Sequence, residues 1–429
     1  MTTALAEAIL ALDFGPLGHD KDAWYVERPQ EEPDALSPIE LLRKRVLGAG
    51  GADKIFLSGH VGSGKSTELV RLRERPEVRE RFTIVAFALE SHEWAHLDSR
   101  AFLFRIAAEL FRWGLANDRL SDDGAWRKHL TYLDAKLFGE SGVAGRDGTL
   151  KAKWHLVFVE VEQELKLTET RRRQFRDLAE TDVTSLRDLV DALVDDIEDQ
   201  LAKHEEPARL LVVVDDLDKV RDPDRQRDLF EENLDTILAP KVAMLMTLPA
   251  SVLFSGRGRQ LRNGTTHLRP APVLRRVDHA RAPEEAQNDR GIRFLVEAAN
   301  KRLAPGLAEV AALERAALYS GGVARDFFRL LREAAFNADG LKRHTIDGRV
   351  MESVVKHART ELQYGLYEAD LIALEQVRAT HDLPAVEQVH LLDQSWVLEL
   401  NGEELWFEVN PLLWAKLTRR AGSAGRPLG

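Results

Sequence analysis

The chain has 429 residues, 44% hydrophobic, 31% charged and 7% aromatic, which suits a globular protein of about three domains and excludes a disordered or fibrous one. It holds no cysteine, which excludes disulfide scaffolds, thiolate zinc sites, cysteine nucleophiles and iron–sulfur clusters and makes a cytoplasmic setting the expectation. With 60 basic against 71 acidic side chains the formal charge is −11, the wrong sign for coating nucleic acid through the overall field.

The opening stretch Met1 to Gly15 carries Glu7 and Asp13 and no basic start, so it reads as a short amphipathic helix and not as a signal peptide. Ser37-Pro38-Ile39-Glu40 joins a capping serine, a proline at the first helical position and a glutamate three residues after the cap. This predicts a helix from there to about Leu47, ended by Gly48 to Gly51. Lys54 to Ser58 is the first of five short apolar runs; Phe82 to Leu89, Leu210 to Asp215, Val242 to Thr247 and Pro272 to Val277 follow. Short buried strands separated by helical stretches predict an α/β fold whose five-stranded parallel sheet is covered on both faces.

A helical insertion, about 91–208, separates the second and third runs. Ala101 to Leu115 reads as a buried helix, and Leu186, Leu189, Val190, Leu193, Val194, Ile197 and Leu201 form one stripe of a long amphipathic helix. The mixed stretch 120–180 does not define its helix boundaries. After Arg290 the pattern is helical to about Tyr367, broken at Gly321-Gly322. Trp396 to Leu400 and Leu405 to Val409, joined through Asn401-Gly402, carry a hairpin signature. No apolar run reaches the roughly 18 residues of a membrane span; the longest, Val242 to Phe254, is interrupted by Thr247 and Pro249. No membrane partner is expected.

The strongest motif is Gly59-His60-Val61-Gly62-Ser63-Gly64-Lys65-Ser66, followed by Thr67. It fills G-x-x-x-x-G-K-[ST] between a predicted strand and a predicted helix. Glycines let backbone N–H groups approach phosphates, and the helix N-terminus faces the anion with its positive end. Gly59, Gly62, Ser63, Gly64, Lys65, Ser66 and Thr67 are therefore the nucleotide-binding candidates. Lys65 is assigned to the β- and γ-phosphates and the Ser66 hydroxyl to Mg²⁺. Leu210 to Asp215 ends in Asp215-Asp216-Leu217-Asp218, the form of a Walker B strand. Asp215 is expected to hold Mg²⁺ and Asp216 to orient or deprotonate the attacking water. Asp218 and Lys219 read as a structural pair. His92-Glu93-Trp94-Ala95-His96 matches the zinc-protease pattern H-E-x-x-H, but it follows a core strand directly, and no third ligand follows at a metalloprotease spacing.

With both Walker elements, the chain over about Tyr25 to Leu417 resembles P-loop ATPases of the additional-strand class: the AAA+, origin-recognition and STAND group. The resemblance implies a core over 51–290 behind an N-terminal segment at 1–50, a helical lid at 291–364, a small winged-helix-like domain at 365–420 and a flexible tail at 421–429. It also implies bound ATP and Mg²⁺, a polar sensor at Thr247, a lid sensor at Arg325 after Gly321-Gly322, and an arginine finger at Arg257 or Arg259. AAA+ motors carry glutamate where this chain has Asp216, one methylene shorter, which favours a slow ATPase acting as a switch.

The resemblance further implies a role in signalling or defence, antiviral defence included, with a homo-oligomer formed on ATP binding. The alternative is a DNA-binding ATPase of the origin-recognition or transposition-regulator type; a metalloprotease is the least favoured. Residues 365–420 hold ten acidic side chains against Arg378, Lys416, Arg419 and Arg420, so the C-terminal module is expected to pack on its own ATPase core as an autoinhibitory or structural cap, with contact to a protein partner the next reading and DNA the last. Any DNA contact is assigned to Arg257 through Arg281.

Overall fold

The computed structural model describes residues 3–28, 36–94, 97–138, 183–383, 388–401 and 405–424. Five strands, β1 (Lys54–Ser58), β2 (Thr83–Ala88), β3 (Leu210–Asp215), β4 (Ala243–Leu248) and β5 (Thr265–His267), form a parallel sheet in the order β2-β3-β4-β1-β5. Because side chains alternate along a strand, each central strand feeds two cores. Ile55, Leu57, Leu211, Val213 and Leu245 point to one face, under α2 (Pro38–Gly48) and α3 (Lys65–Glu74). Phe56, Val212, Val214, Met244 and Met246 point to the other, under α4 (Ser99–Ala116) and α6 (Val183–Lys203). β4 lies between β1 and β3, so one strand separates the strand before the glycine-rich loop from the acid-tipped strand.

Local signals match the helices they forecast. Ser37 Oγ accepts from Glu40 N at the start of α2, Asp98 caps α4 by accepting from Arg100 N and Ala101 N, and all seven stripe residues of α6 are buried. Between them α5 (Trp126–Phe138) precedes residues 139–182, where most of the undefined 120–180 stretch lies outside the described residues.

The fifth strand is a correction. It is Thr265–His267, paired with Phe56, Leu57 and Ser58, and not Pro272 to Val277. Pro270 and Pro272 lack the N–H that a ladder needs, and the segment leaves the sheet for the lid. There Ala271 N donates to Gly322 O at 2.9 Å and Leu274 bridges Gln287, so the apolar character of this run comes from lid packing.

The helical segment expected to be the lid holds α7 (Asp289–Asn300), α8 (Val310–Tyr319), α9 (Ala324–Gly340) and α10 (Gly348–Glu361). Gly321 and Gly322 separate α8 from α9 at φ +61° and +84°, a left-handed conformation that favours glycine. The C-terminal module has α11 (Glu368–Thr380), the antiparallel pair β6 (Val397–Asn401) and β7 (Leu405–Val409), and α12 (Pro411–Ala424). The predicted turn after Asn401 falls on residues 402–404, outside the described residues. α1 (Thr3–Ala11), the lid and this module share one apolar cluster that includes Leu5, Leu330, Leu374 and Trp414. Among the described residues no helix is long and apolar enough to cross a membrane.

Candidate functional site

The loop from Gly59 to Gly64 joins β1 to α3, and its glycines are steric requirements. Gly62 and Gly64 have φ +90° and +105°, and a Cβ on Gly59 would stand 2.2 Å from Leu268 O. Lys65 opens α3, almost fully buried, with Nζ donating to Gly59 O at 2.6 Å and His60 O at 2.9 Å. Thr67 Oγ1 accepts from Leu17 N at 3.2 Å, which ties the N-terminal segment to the loop. Ser63 O accepts from the Arg28 guanidinium, while Ser63 Oγ is buried without a partner among the described residues.

The acidic strand end lies across the same cleft. The carboxylates of Asp215, Asp216 and Asp218 converge within 4.8 Å of one another. Burial pushes the Asp215 carboxyl above the usual carboxylate range, and a hydrogen bond from the Ser66 hydroxyl opposes that shift. Asp216 has φ +64° and caps the 3-10 turn Leu217–Lys219. The expected pairing of Asp218 with Lys219 is corrected: Lys219 reaches back to Asp216 at 2.7 Å, and Asp218 pairs with Lys65 at 2.8 Å. In a 3-10 turn, residues three apart eclipse, so Lys219 faces Asp216 and not its own neighbour.

The start of α9 packs directly on the loop. Arg325 N donates to Gly62 O at 3.0 Å, and a Cβ on Gly62 would meet Arg325 Cβ at 2.6 Å. The cleft between them, about 260 Å³, is lined by Lys65, Ser66, Asp215 and Arg325 together with the apolar Phe14, Pro16, Leu17 and Phe328. Arg302 lies 3.8 Å over the Phe328 ring and donates to Asp13 O at 3.0 Å; burial lowers its pKa to about 10, so it stays charged at neutral pH.

This donor set fits a nucleoside triphosphate with a hard divalent cation. Positive φ glycines and a helix N-terminus offer backbone N–H groups, Lys65 offers a cation, and Ser66 with Asp215 offers oxygen ligands.

Other predicted residues lie apart from this convergence. Thr247 is fully buried and is not a cleft residue; its Oγ1 accepts from Leu217 N at 3.1 Å and Asp218 N at 3.4 Å, fixing the acidic loop from behind. Arg257 is held by Asp235 at 2.7 Å, and Arg259 has no side-chain partner among the described residues; neither lines this cleft. In the H-E-x-x-H stretch the helix Ser91–Trp94 is four residues long, His92 faces Glu90, Glu93 pairs with Arg105, and His96 is outside the described residues. Among the described residues the acidic trio is the only cluster arranged to hold a metal.

Sequence reasoning missed the contacts that tie the C-terminal module to this site. His60 Nε2 accepts from Glu399 N at 2.9 Å, and the buried Glu399 carboxylate takes a hydrogen bond from Arg269 at 3.0 Å. Asp393 accepts from Ser251 Oγ at 2.6 Å and from Gln226 at 2.8 Å. No local signal could have found partners this far apart in the chain.

No protein-family model and no curated protein matches the chain. Among solved structures it is similar to Cdc6p of Pyrobaculum aerophilum, at 15% identity and TM-score 0.37 over 94% of this chain and 98% of that one. It is likewise similar to a Walker-type ATPase of Pyrococcus abyssi, at 12% identity and TM-score 0.41 over 92% and 99%. A third is the Orc1 protein of Aeropyrum pernix in complex with DNA, at 12% identity and TM-score 0.38 over 92% and 95%.

Proposed function

We propose that this chain is an ATP-binding P-loop ATPase, slow in hydrolysis, that converts nucleotide state into the arrangement of its lid and C-terminal module. One observation carries the reading: the phosphate loop is bonded on one side to the lid, Arg325 N to Gly62 O, and on the other to the module, Glu399 N to His60 Nε2. A phosphate chain entering between Gly62 and Lys65 acts on both contacts at once.

In this reading Lys65 binds the β- and γ-phosphates, Ser66 and Asp215 hold Mg²⁺, and Arg325 reaches the γ-phosphate. Mg²⁺ supplies charge neutralisation of the phosphate oxygens. Asp216 orients a water for in-line attack and accepts its proton as the new P–O bond forms and the bond to the β-phosphate's bridging oxygen breaks. Two features favour slow turnover: Asp216 is shorter than glutamate, and Lys219 already engages it at 2.7 Å.

Assembly into homo-oligomers follows from the resemblance, with Arg259 the better finger candidate because Arg257 is already paired with Asp235. The setting, signalling or defence with DNA loading as the alternative, also stays with the resemblance. Size-exclusion chromatography with light scattering, with and without a slowly hydrolysed ATP analogue and with added duplex DNA, tests the reading. A mass increase with the analogue alone is expected. Assembly only with DNA transfers the function to the alternative, and a chain that binds no ATP by calorimetry overturns both.

A further inference from the structure

The loop satisfies its own lysine completely. Lys65 Nζ has three hydrogens and three partners: Gly59 O at 2.6 Å, His60 O at 2.9 Å and Asp218 Oδ2 at 2.8 Å. Both charged side chains are about 95% buried, 4% and 5% exposed. The Asp218 backbone is held in place by Thr247 Oγ1 from behind, so this carboxylate is a fixed part of the site. Of the three converging acids, Asp216 is matched by Lys219 and Asp218 by Lys65, while Asp215 faces Ser66.

We infer that Asp218 is a positioning residue for Lys65, holding the ammonium inside the loop and competing for it with the phosphates of an incoming nucleotide. The inference rests on the ATP site proposed above. A phosphate chain that takes Lys65 leaves Asp218 as a buried anion beside new negative charge, and an uncompensated buried charge is strongly unfavourable. Asp218 therefore weakens nucleotide binding, the opposite of what a metal ligand or a purely structural acid does.

The test is isothermal calorimetry of the full chain and its Asp218→Asn and Asp218→Ala variants with ATP, ADP and adenosine in Mg²⁺ buffer. It is paired with the melting temperature of each ligand-free protein. Both variants are expected to bind ATP and ADP about tenfold more tightly or better, near the 1.4 kcal/mol that a tenfold change represents. Adenosine affinity is expected to stay unchanged, because it carries no phosphate. The ligand-free variants are expected to melt lower, and ATP to raise their melting temperature by more than it raises the wild type's. Equal or weaker ATP binding by a folded variant overturns the inference while leaving the site reading intact. A wild-type chain that binds no ATP overturns the site reading and the inference together.

Discussion

His60 belongs to the phosphate loop, yet its Nε2 lies 2.9 Å from the backbone nitrogen of Glu399, 339 residues further along the chain. To accept that bond the ring must be neutral at Nε2. Burial lowers the His60 pKa to about 4, with the nearby Glu399 carboxylate opposing the shift. The loop that would cradle phosphates thus uses a neutral imidazole to hold a strand of the C-terminal module.

This bond makes stability depend on pH with a definite sign. The folded pKa of about 4 lies below the ordinary 6.5, so between those values the unfolded chain binds more protons. The contribution is complete above pH 6.5 and is lost as pH falls toward 4, by about 2 kcal/mol between pH 7 and pH 5. Urea midpoints at the two pH values should fall more for the wild type than for His60→Gln. Equal falls would remove His60 as the cause.

Lys65→Ala is expected to weaken ATP binding about 100-fold or more, since it removes the loop's cation. It should also destabilise the ligand-free protein by about 3 kcal/mol, because Asp218 is left buried and unpaired. Calorimetry and chemical denaturation read the two effects. Undiminished ATP binding by a folded variant would end the phosphate-loop assignment.

Asp216→Asn is expected to keep ATP affinity within a few-fold and to slow single-turnover hydrolysis about 100-fold or more. Asp215 and Ser66 remain to hold the cation while the water loses its carboxylate. An unchanged single-turnover rate would make Asp216 structural.

How much of this was legible in the sequence depends on the range of the interaction. β1, β3 and the loop between β1 and α3 were readable because apolar run length, glycine chemistry and helix capping are local. β5 was not: it has three residues, Thr265–His267, and two of them are threonines, whose strand role comes from pairing with β1. Pro272 to Val277 imitated a strand because the lid buries Val273 and Leu274. The Asp218 partner was misread because adjacency in sequence is not adjacency in a 3-10 turn begun at φ +64°. Glu399 and Asp393 were unreadable as site residues, since only the tertiary fold brings the module against His60 and Ser251.

Gly322 offers a test of the junction between α8 and α9. At φ +84° a Cβ there would stand 1.9 Å from Ala271 O, whereas at Gly306, φ +78°, nothing lies within 4 Å. Both alanine variants carry the left-handed strain of about 1 kcal/mol, but Gly322→Ala adds a backbone clash and should cost about 3 kcal/mol or more. Thermal melting of the two variants decides it; equal shifts would show that the junction between Ala271 and the lid yields without cost.

The last prediction concerns DNA, where charge and pairing act together. The C-terminal module has four bases, and in the fold each already has a partner. Arg378 pairs with Glu408 at 3.2 Å, Arg420 pairs with Glu368 and with Glu375, Lys416 donates to Gln363 and Arg419 donates to Ala415 O. β6 is committed to the core through Glu399. Phosphate contacts need cations that can release bound counterions, and here Arg378 and Arg420 would first have to leave acidic partners, and Lys416 and Arg419 neutral oxygen acceptors. In the segment from Arg257 to Arg281, Arg259 and Arg276 have no side-chain partner among the described residues, whereas Arg257 and Arg269 are paired. Fluorescence anisotropy with duplex DNA at physiological salt is therefore expected to give no more than weak binding by the full chain. Arg419→Glu with Arg420→Glu should leave that binding unchanged, and Arg259→Glu with Arg276→Glu should abolish it. Micromolar or tighter binding that the Arg419 and Arg420 substitutions weaken would place DNA on the module and favour the DNA-loading alternative.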